Sequence, residues 1–427
     1  MYIENYGCQM NISDSDIITS ILLNNGFILS ENLNQANIIL LNACSIRQNA
    51  ELTLKKRLEQ FKVYKKKRPI WIGIVGCFSK EIKKFFLQKR IVDFFVSPDS
   101  YREIPNFIYS SIMGKAKRNN ETYADISFVK AKQNNKKITT FLSITRGCNN
   151  MCTFCIVPFT RGRERSSDPH SIIKECKRLY HNGFKEITLL GQNVDSYLWR
   201  IVDFSKLLDL IAKEIPFMRI RFSTSNPHDM SNEVLKVISK HPNICKHIHL
   251  PVQSGSNKIL KLMNRKYTRE KYLFLAKQIK SIIPECSISH DIIAGFCDEN
   301  EEDHQETISL MNEIKYNYGY MFSYSPRPGT YAYRKLKDNV PVDIKKRRLK
   351  EIIDLQREHS FYRMKEHLGK IEEILIEGES KRNNQYWYGR NTQNLIVVFP
   401  KKSLNIGDLV YIKIIDTTSA TLIGKHC

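Results

Sequence analysis

From Met1 to Met113 short apolar runs alternate with amphipathic stretches. This alternation predicts a parallel sheet with helices between its strands. Strands are expected at 1–6, 37–42, 70–75 and 92–96. Ile17, Ile18, Ile21 and Leu22 recur at helical spacing, with Ser13 as the expected N-cap and Gly26 just past the end. Further helices follow the second and third strands.

From 113 to 139 the chain turns polar and basic, as a linker does. Alternation then resumes, with strands expected at 141–145, 187–190, 218–222, 247–250, 287–292 and 321–324, and helices at 172–180, 204–211 and 269–283. Six β/α units predict a partial barrel whose active face lies at the C-terminal ends of its strands. A charged helix is expected at 343–365, and after it Val410, Ile412 and Ile414 alternate with polar residues while Gly389, Gly407 and Gly424 punctuate the segment. That is the pattern of a small β-barrel. The expected class is α/β in three domains, a parallel α/β domain (1–113), a partial (β/α)6 barrel (139–340) and a small β-barrel (364–427). No apolar run reaches membrane length, and no basic region followed by an apolar stretch opens the chain. The expected location is the cytoplasm, with no membrane partner.

Charge adds a partner class. The formal net charge of +23 favours a polyanion, because Lys and Arg that neutralise phosphates release counterions. A Lys-, Asn- and Ile-rich composition of the kind AT-rich coding produces accounts for the same charge, so both readings stay open. Eleven cysteines in a cytoplasmic chain argue against a disulfide framework and for metal or cluster binding.

Cys148, Cys152 and Cys155 form C-x3-C-x2-C directly after an expected strand. Three thiolates on a short loop can converge on one iron–sulfur cube. A cube has four irons, so one stays open, and an open iron can chelate the amino and carboxyl groups of S-adenosylmethionine (SAM). A structural zinc would ask for a fourth ligand, and no Cys or His is near in sequence. With Phe154 before the last cysteine, the motif resembles that of the radical SAM superfamily. The resemblance implies a [4Fe-4S] cluster on Cys148, Cys152 and Cys155 that cleaves SAM to a 5′-deoxyadenosyl radical. It also implies SAM contacts from Phe154, from Gln192 and Asn193 after the second barrel strand, and from Gly295 in a glycine-containing loop near the adenine. In that loop Cys297-Asp298 replaces the usual Pro-Gly, a change expected to loosen it. Arg219 and Arg221 make one face of a strand cationic, and each has two candidate partners, a SAM carboxylate or a barrel acid.

Cys8, Cys44 and Cys77 lie far apart, yet each follows an expected strand of the N-terminal sheet. Parallel strands end on one edge, where Gly7 and Gly76 allow close backbone approach. Geometry permits a cluster there, and buried core thiols are the alternative. Tyr6-Gly7-Cys8-Gln9-Met10-Asn11 with Asp14 and Ser15, Asn42-Ala43-Cys44-Ser45-Ile46-Arg47, and Gly76-Cys77 resemble the three cysteine motifs of the radical SAM methylthiotransferase family. That resemblance implies a second, auxiliary [4Fe-4S] cluster on Cys8, Cys44 and Cys77 that delivers sulfur. Cys176, Cys245, Cys286, Cys297 and Cys427 lack ligand spacing and are expected to be structural.

Cys152 to Ser166, with its Arg161-Gly162-Arg163-Glu164-Arg165 run, resembles the tRNA branch of that family, as do 189–194, 249–256 and 323–330. Asn226, Gln48 and Tyr331 depart from the family's usual His, Glu and Pro. The segment 371–424 resembles a TRAM domain, a β-barrel that grips RNA, and Lys381, Arg382, Tyr386 and Trp387 suit backbone attraction and stacking. The resemblance implies methylthiolation at carbon 2 of N6-isopentenyladenosine at position 37 of a tRNA anticodon loop. It also implies an electron donor such as flavodoxin or ferredoxin, and a monomer is expected. Arg161, Arg163 and Arg165 are expected to meet tRNA phosphates or to pair with core acids. Rival readings are sister branches acting on a threonylcarbamoyl-modified adenosine or a ribosomal-protein aspartate, and a non-enzymatic RNA-binding protein with structural clusters.

Overall fold

The computed structural model describes residues 1–44, 48–78, 80–89, 91–114 and 137–427, which divide into two compact units. One comprises 1–137, 141–149 and 156–167, and the other 138–140, 150–155 and 168–427. Ser45, Ile46, Arg47 and most of the expected linker (115–136) lie outside the described residues.

The first unit is built on a parallel sheet of β1 (Tyr2–Tyr6), β2 (Ile38–Cys44), β3 (Trp71–Cys77) and β4 (Phe94–Val96), in that order. Helices α1 (Gln9–Asn24) and α4 (Ile104–Ile112) cover one face through Ile18, Leu22, Leu40, Val75 and Ile108. On the other face α2 (Gln48–Lys67) and α3 (Lys80–Lys89) bury Leu58, Phe61 and Phe86 against Ile39, Leu41, Ile72 and Ile74. A sheet covered twice needs apolar residues on both faces, which is why β2 and β3 read as continuous runs rather than alternations. Two details depart from the sequence reading. β2 and β3 extend through Cys44 and Cys77, which pair directly with each other, because the ladder continues past Ala43 and Gly76. And α1 starts at Gln9, with Cys8 rather than Ser13 as its cap. The Cys8 N–H donates to Asn11 Oδ1 (3.3 Å) and the Asn11 N–H to the Cys8 carbonyl (2.9 Å), while Ser13 is buried inside the helix.

In the second unit, Glu186–Leu190 and Arg219–Phe222 pair in parallel. Ile220 then exchanges main-chain bonds with Asn243 and Cys245 ahead of His247–His249. That strand pairs with Ser287–Ala294, which pairs with Tyr318–Ser323, again in parallel. At the opposite edge Lys185 N–H donates to Ile138 O (2.8 Å). The last strand begins three residues before the expected 321. Gly319 makes room for the buried His290, since a Cβ there would sit 2.2 Å from His290 Nε2. His290 in turn bonds Gln356 of the helix Val342–Lys365 (2.7 Å).

After that helix comes a closed barrel of Ile371–Glu379, Tyr386–Arg390, Ile396–Pro400, Leu409–Thr417 and Leu422–His426, filled by Ile374, Ile376, Val397, Phe399, Ile412 and Ile414. The turn at 391–395 is tied to the inner face of the β/α strands. Arg221 donates to the carbonyls of Asn391 (2.8 Å) and Thr392 (3.2 Å), and Arg219 to that of Arg390 (2.8 Å). Ser287 Oγ donates to the Gln393 carbonyl (2.6 Å) and Asn394 Nδ2 to Tyr318 OH (2.7 Å). The buried Glu186 completes the latch, paired with Arg221 (2.8 Å) and Arg390 (2.7 Å). Arg221 thus has a barrel acid, Glu186, among its partners. No helix among the described residues is long and apolar enough to cross a membrane.

Candidate functional site

The C-terminal edge of the N-terminal sheet is packed with polar side chains. Cys44 and Cys77 end adjacent strands in register, and Cys8 sits one turn away at the start of α1. Asn11 Nδ2 donates to Asn42 Oδ1 and Ala43 O (both 2.8 Å), and Asn42 Nδ2 to Asn11 O (2.7 Å) and Ser15 Oγ (2.8 Å). This network lashes α1 to the ends of the strands that carry the thiols. It also accounts for the glycines. A Cβ on Gly7 would meet Asn11 Oδ1 at 2.2 Å, and Gly76 has φ +92° with Asn42 Oδ1 2.4 Å from where a Cβ would be.

The thiols are not equivalent. The Cys8 thiol is lowered to about 6, chiefly by its hydrogen bond with Cys44, against burial and with help from Arg161 and the first-turn amides of α1. Burial pushes the Cys77 thiol up, with the Arg161 charge opposing it. Every described cysteine is a free thiol. Zinc would draw four thiolates to within about 3.8 Å of one another. Among the described residues only Glu301, His304 and Glu351 have donor atoms all within 4.8 Å of each other. Three soft thiol donors on one sheet edge, beside the buried Arg161, are the residues there that could hold an iron–sulfur cluster.

The second cysteine group is held by its loop. In the second unit Thr153 donates from N to Met263 O (3.1 Å) and from Oγ1 to Leu262 O (2.8 Å), and its carbonyl accepts Ala332 N–H (2.8 Å). Phe154 packs edge-on against Phe296 (6.3 Å), so it also anchors the loop. Arg265 Nη1 lies 3.3 Å from Cys152 Sγ, and Nε is held by Tyr267 OH at 2.9 Å. Sequence reasoning missed Arg265. Its only signal is the cationic and aromatic run Arg265-Lys266-Tyr267 ahead of a helix. In the first unit Cys148 N–H donates to Gly162 O (3.2 Å), and Gly147 has φ +80° where a Cβ would strike Arg163 O.

The remaining candidates are spread along the C-terminal strand ends. Asn193 Nδ2 donates to Asp229 (2.6 Å), and Gln192 beside it is half-buried. Gly295 has φ +70°, packs on the stem of Lys345, and its N–H is taken by Glu299 (2.9 Å). Its loop is pinned rather than loosened. Asp298 adopts φ +60°, a left-handed conformation that Asp tolerates, and bonds Asn339 on both sides (2.9 and 2.6 Å). Arg161 pairs with Asp14 (3.0 Å) and Arg165 with Asp99 (2.5 Å), whereas Arg163 is exposed. Burial pushes the thiols of Cys176, Cys245, Cys286 and Cys297 up, as for structural cysteines, and Cys427 is exposed.

Asp195 follows in the same loop and was not singled out from sequence. Burial, reinforced by Asp229, pushes its carboxyl up to about 8 against hydrogen bonds from Asn226 N–H (3.1 Å) and Ser225 Oγ (3.3 Å). An unfolded Asp titrates near ~3.9. The folded chain therefore holds this proton more tightly, and stability falls as pH rises from about 4 to about 8. Asp195→Asn keeps the acceptor and removes the charge. The variant is expected to match the parent at pH 4 and to exceed it by about 1–3 kcal/mol above pH 8 in urea unfolding curves. An unchanged difference across that range would refute the assignment.

Comparison with known proteins agrees along the whole chain. Residues 142–311 match the radical SAM superfamily, 1–97 an uncharacterized protein family, UPF0004, and 365–426 the TRAM domain. A curated relative from Karelsulcia muelleri (strain GWSS), a tRNA-2-methylthio-N(6)-dimethylallyladenosine synthase, is 58% identical over 447 residues, covering 99% of this chain and 98% of its own. One of the same name from Flavobacterium psychrophilum is 52% identical over 450 residues, covering 100% and 93%. Among solved structures, the radical S-adenosylmethionine methyltransferase TsrM from Kitasatospora setae, with cobalamin and a [4Fe-4S] cluster bound, superposes with a TM-score of 0.60 at 12% identity, over 78% of this chain and 76% of that one. The cobalamin-dependent radical enzyme OxsB gives 0.53 at 12% identity, over 83% and 56%. Both likenesses concern the fold alone.

Proposed function

The chain belongs to the tRNA-2-methylthio-N(6)-dimethylallyladenosine synthases, and from that membership we propose that it adds a methylthio group to carbon 2 of N6-isopentenyladenosine at position 37 of tRNA. The observation that carries the reading is the meeting of three cysteines from distant parts of the chain, Cys8, Cys44 and Cys77, at one sheet edge in a protein that also has the C-x3-C-x2-C loop. In this reading Cys148, Cys152 and Cys155 hold a [4Fe-4S] cluster and Cys8, Cys44 and Cys77 an auxiliary one. When bound, the first supplies reductive cleavage of SAM to a 5′-deoxyadenosyl radical and the second supplies the sulfur, which is joined to a carbon whose C–H bond acid–base chemistry cannot break.

The chain's own residues prepare that chemistry. Thr153 and Phe154 fix the cysteine loop, and the Arg265 guanidinium donates to the Cys152 sulfur at 3.3 Å. Gln192, Asn193 and Gly295 line the strand ends where SAM would lie. Tyr320 and Phe322 are exposed on the strand next to Asp291 and Ile293, and offer stacking faces to a base turned out of the anticodon loop. Lys381 and Arg382 on the C-terminal barrel are exposed and suit tRNA phosphates. An electron donor of the flavodoxin or ferredoxin class, a monomeric state and a cytoplasmic setting complete the proposal.

The test is anaerobic reconstitution followed by incubation with SAM, reductant and isopentenylated tRNA. Nucleoside mass spectrometry is expected to find the methylthio product with 5′-deoxyadenosine alongside. Cleavage of SAM without a modified nucleoside would move the substrate elsewhere. Intact clusters with no cleavage would refute the reading.

A further inference from the structure

The thiol edge of the N-terminal sheet is lined by more than thiols. Arg161 is 4% exposed, and its Nη2 lies 3.0 Å from Asp14 Oδ2. Asp14 is fully buried and takes two further donors, Arg146 Nη2 at 3.3 Å and Tyr101 OH at 3.1 Å. Two guanidinium groups against one carboxylate leave a surplus positive charge in a dry interior. An uncompensated buried charge is costly and is retained only where a further anion answers it. Arg161 Nη1 is also buried and meets no oxygen acceptor among the described residues, and the guanidinium lies within hydrogen-bonding reach of the Cys77 thiol. Besides Asp14 and Tyr101, the groups whose fields Arg161 meets are Cys77 and Cys8. Surplus charge and a donor directed at sulfur therefore sit together at the thiol edge.

We propose that Arg161 is a positioning residue for the auxiliary cluster, donating from Nη1 to sulfur at the Cys8–Cys77 side and stabilising the cluster's reduced state with its charge. The inference rests on the reading of Cys8, Cys44 and Cys77 as ligands. A [4Fe-4S] core of charge 2+ on three thiolates carries one net negative charge, and one-electron reduction makes it two. One buried cation offsets the first and favours the second, so Arg161 raises the reduction potential. Of the other charged or titratable groups around it, Asp14 holds the guanidinium in place, and Arg146 and Tyr101 in turn bond Asp14.

The test uses the full chain with Cys148, Cys152 and Cys155 all replaced by alanine, so that only the auxiliary cluster is loaded. Iron content and a redox titration followed by electron paramagnetic resonance are read for this parent, for Arg161→Gln, and for Arg161→Lys, which keeps the buried charge and so protects the fold. Arg161→Gln is expected to retain iron while its reduced-to-oxidised ratio at fixed potential falls about tenfold, a midpoint shift of ~59 mV to more negative values. Arg161→Lys is expected to hold the midpoint but alter the resonance spectrum, because one donor is lost. Full iron with an unchanged midpoint in Arg161→Gln overturns the proposal. If only Arg161→Lys folds, a spectrum and midpoint both equal to the parent's overturn it. A parent that binds no iron sinks the ligand assignment itself, and the inference with it.

Discussion

Replacing Cys152 by alanine is expected to lower SAM cleavage and methylthio product together by roughly a thousandfold or more, the scale of losing a group without which the reactive species cannot form. On the proposed two-cluster reading iron should fall from about eight to about four per chain, since each cluster would carry about four irons. The two readouts separate causes. The loop is pinned through the main chain and side chain of Thr153 and through Phe154, none of which the substitution touches, so the fold should survive. Retained SAM cleavage with half the iron lost would mean that the radical-forming cluster sits elsewhere. Retained iron with lost activity would make Cys152 something other than a ligand. Arg265 gives a graded companion, because its guanidinium at 3.3 Å from Cys152 adjusts the sulfur without ligating anything.

The second large effect is on folding. Asp14→Ala strips from two buried guanidinium groups the only carboxylate that pairs with them among the described residues and is expected to cost about 3–5 kcal/mol, the penalty of breaking a buried pair from one side. Urea unfolding of the full chain checks this, and a loss under ~1 kcal/mol would show that solvent reaches the site. Asp14→Asn should be milder, because an amide oxygen still accepts from Tyr101. Surface pairs such as Lys89–Glu59 have no comparable leverage, since water already serves both partners.

How much of this the sequence discloses depends on the reach of each interaction. The C-x3-C-x2-C loop is local and legible, and so are the strand ends that carry Cys8, Cys44 and Cys77, because apolar runs mark them. Cysteine is not a residue one expects at a helix cap, and the cap is made by Asn11 folding back. The early start of the strand Tyr318–Ser323 is hidden because Gly319 interrupts its pattern for the sake of His290, a neighbour across the sheet. Arg221 could not be assigned because its carbonyl partners lie about 170 residues away, and Arg265 because Cys152 is 113 residues distant. The Arg-Gly-Arg-Glu-Arg run divides in the same way, with Arg161 and Arg165 turned to Asp14 and Asp99 and Arg163 left exposed.

The latch at 391–395 is made on the barrel's side largely by carbonyl oxygens, which every amino acid supplies. The outer surface of the small barrel can therefore change residue by residue while its span to the β/α strands stays the same. RNA gripped on that surface would present its reactive loop at a set reach, as work is held in a jig, and altering which RNA is gripped would not alter where the new group is placed. Selection can retune the grip and the chemistry separately, each without recalibrating the other.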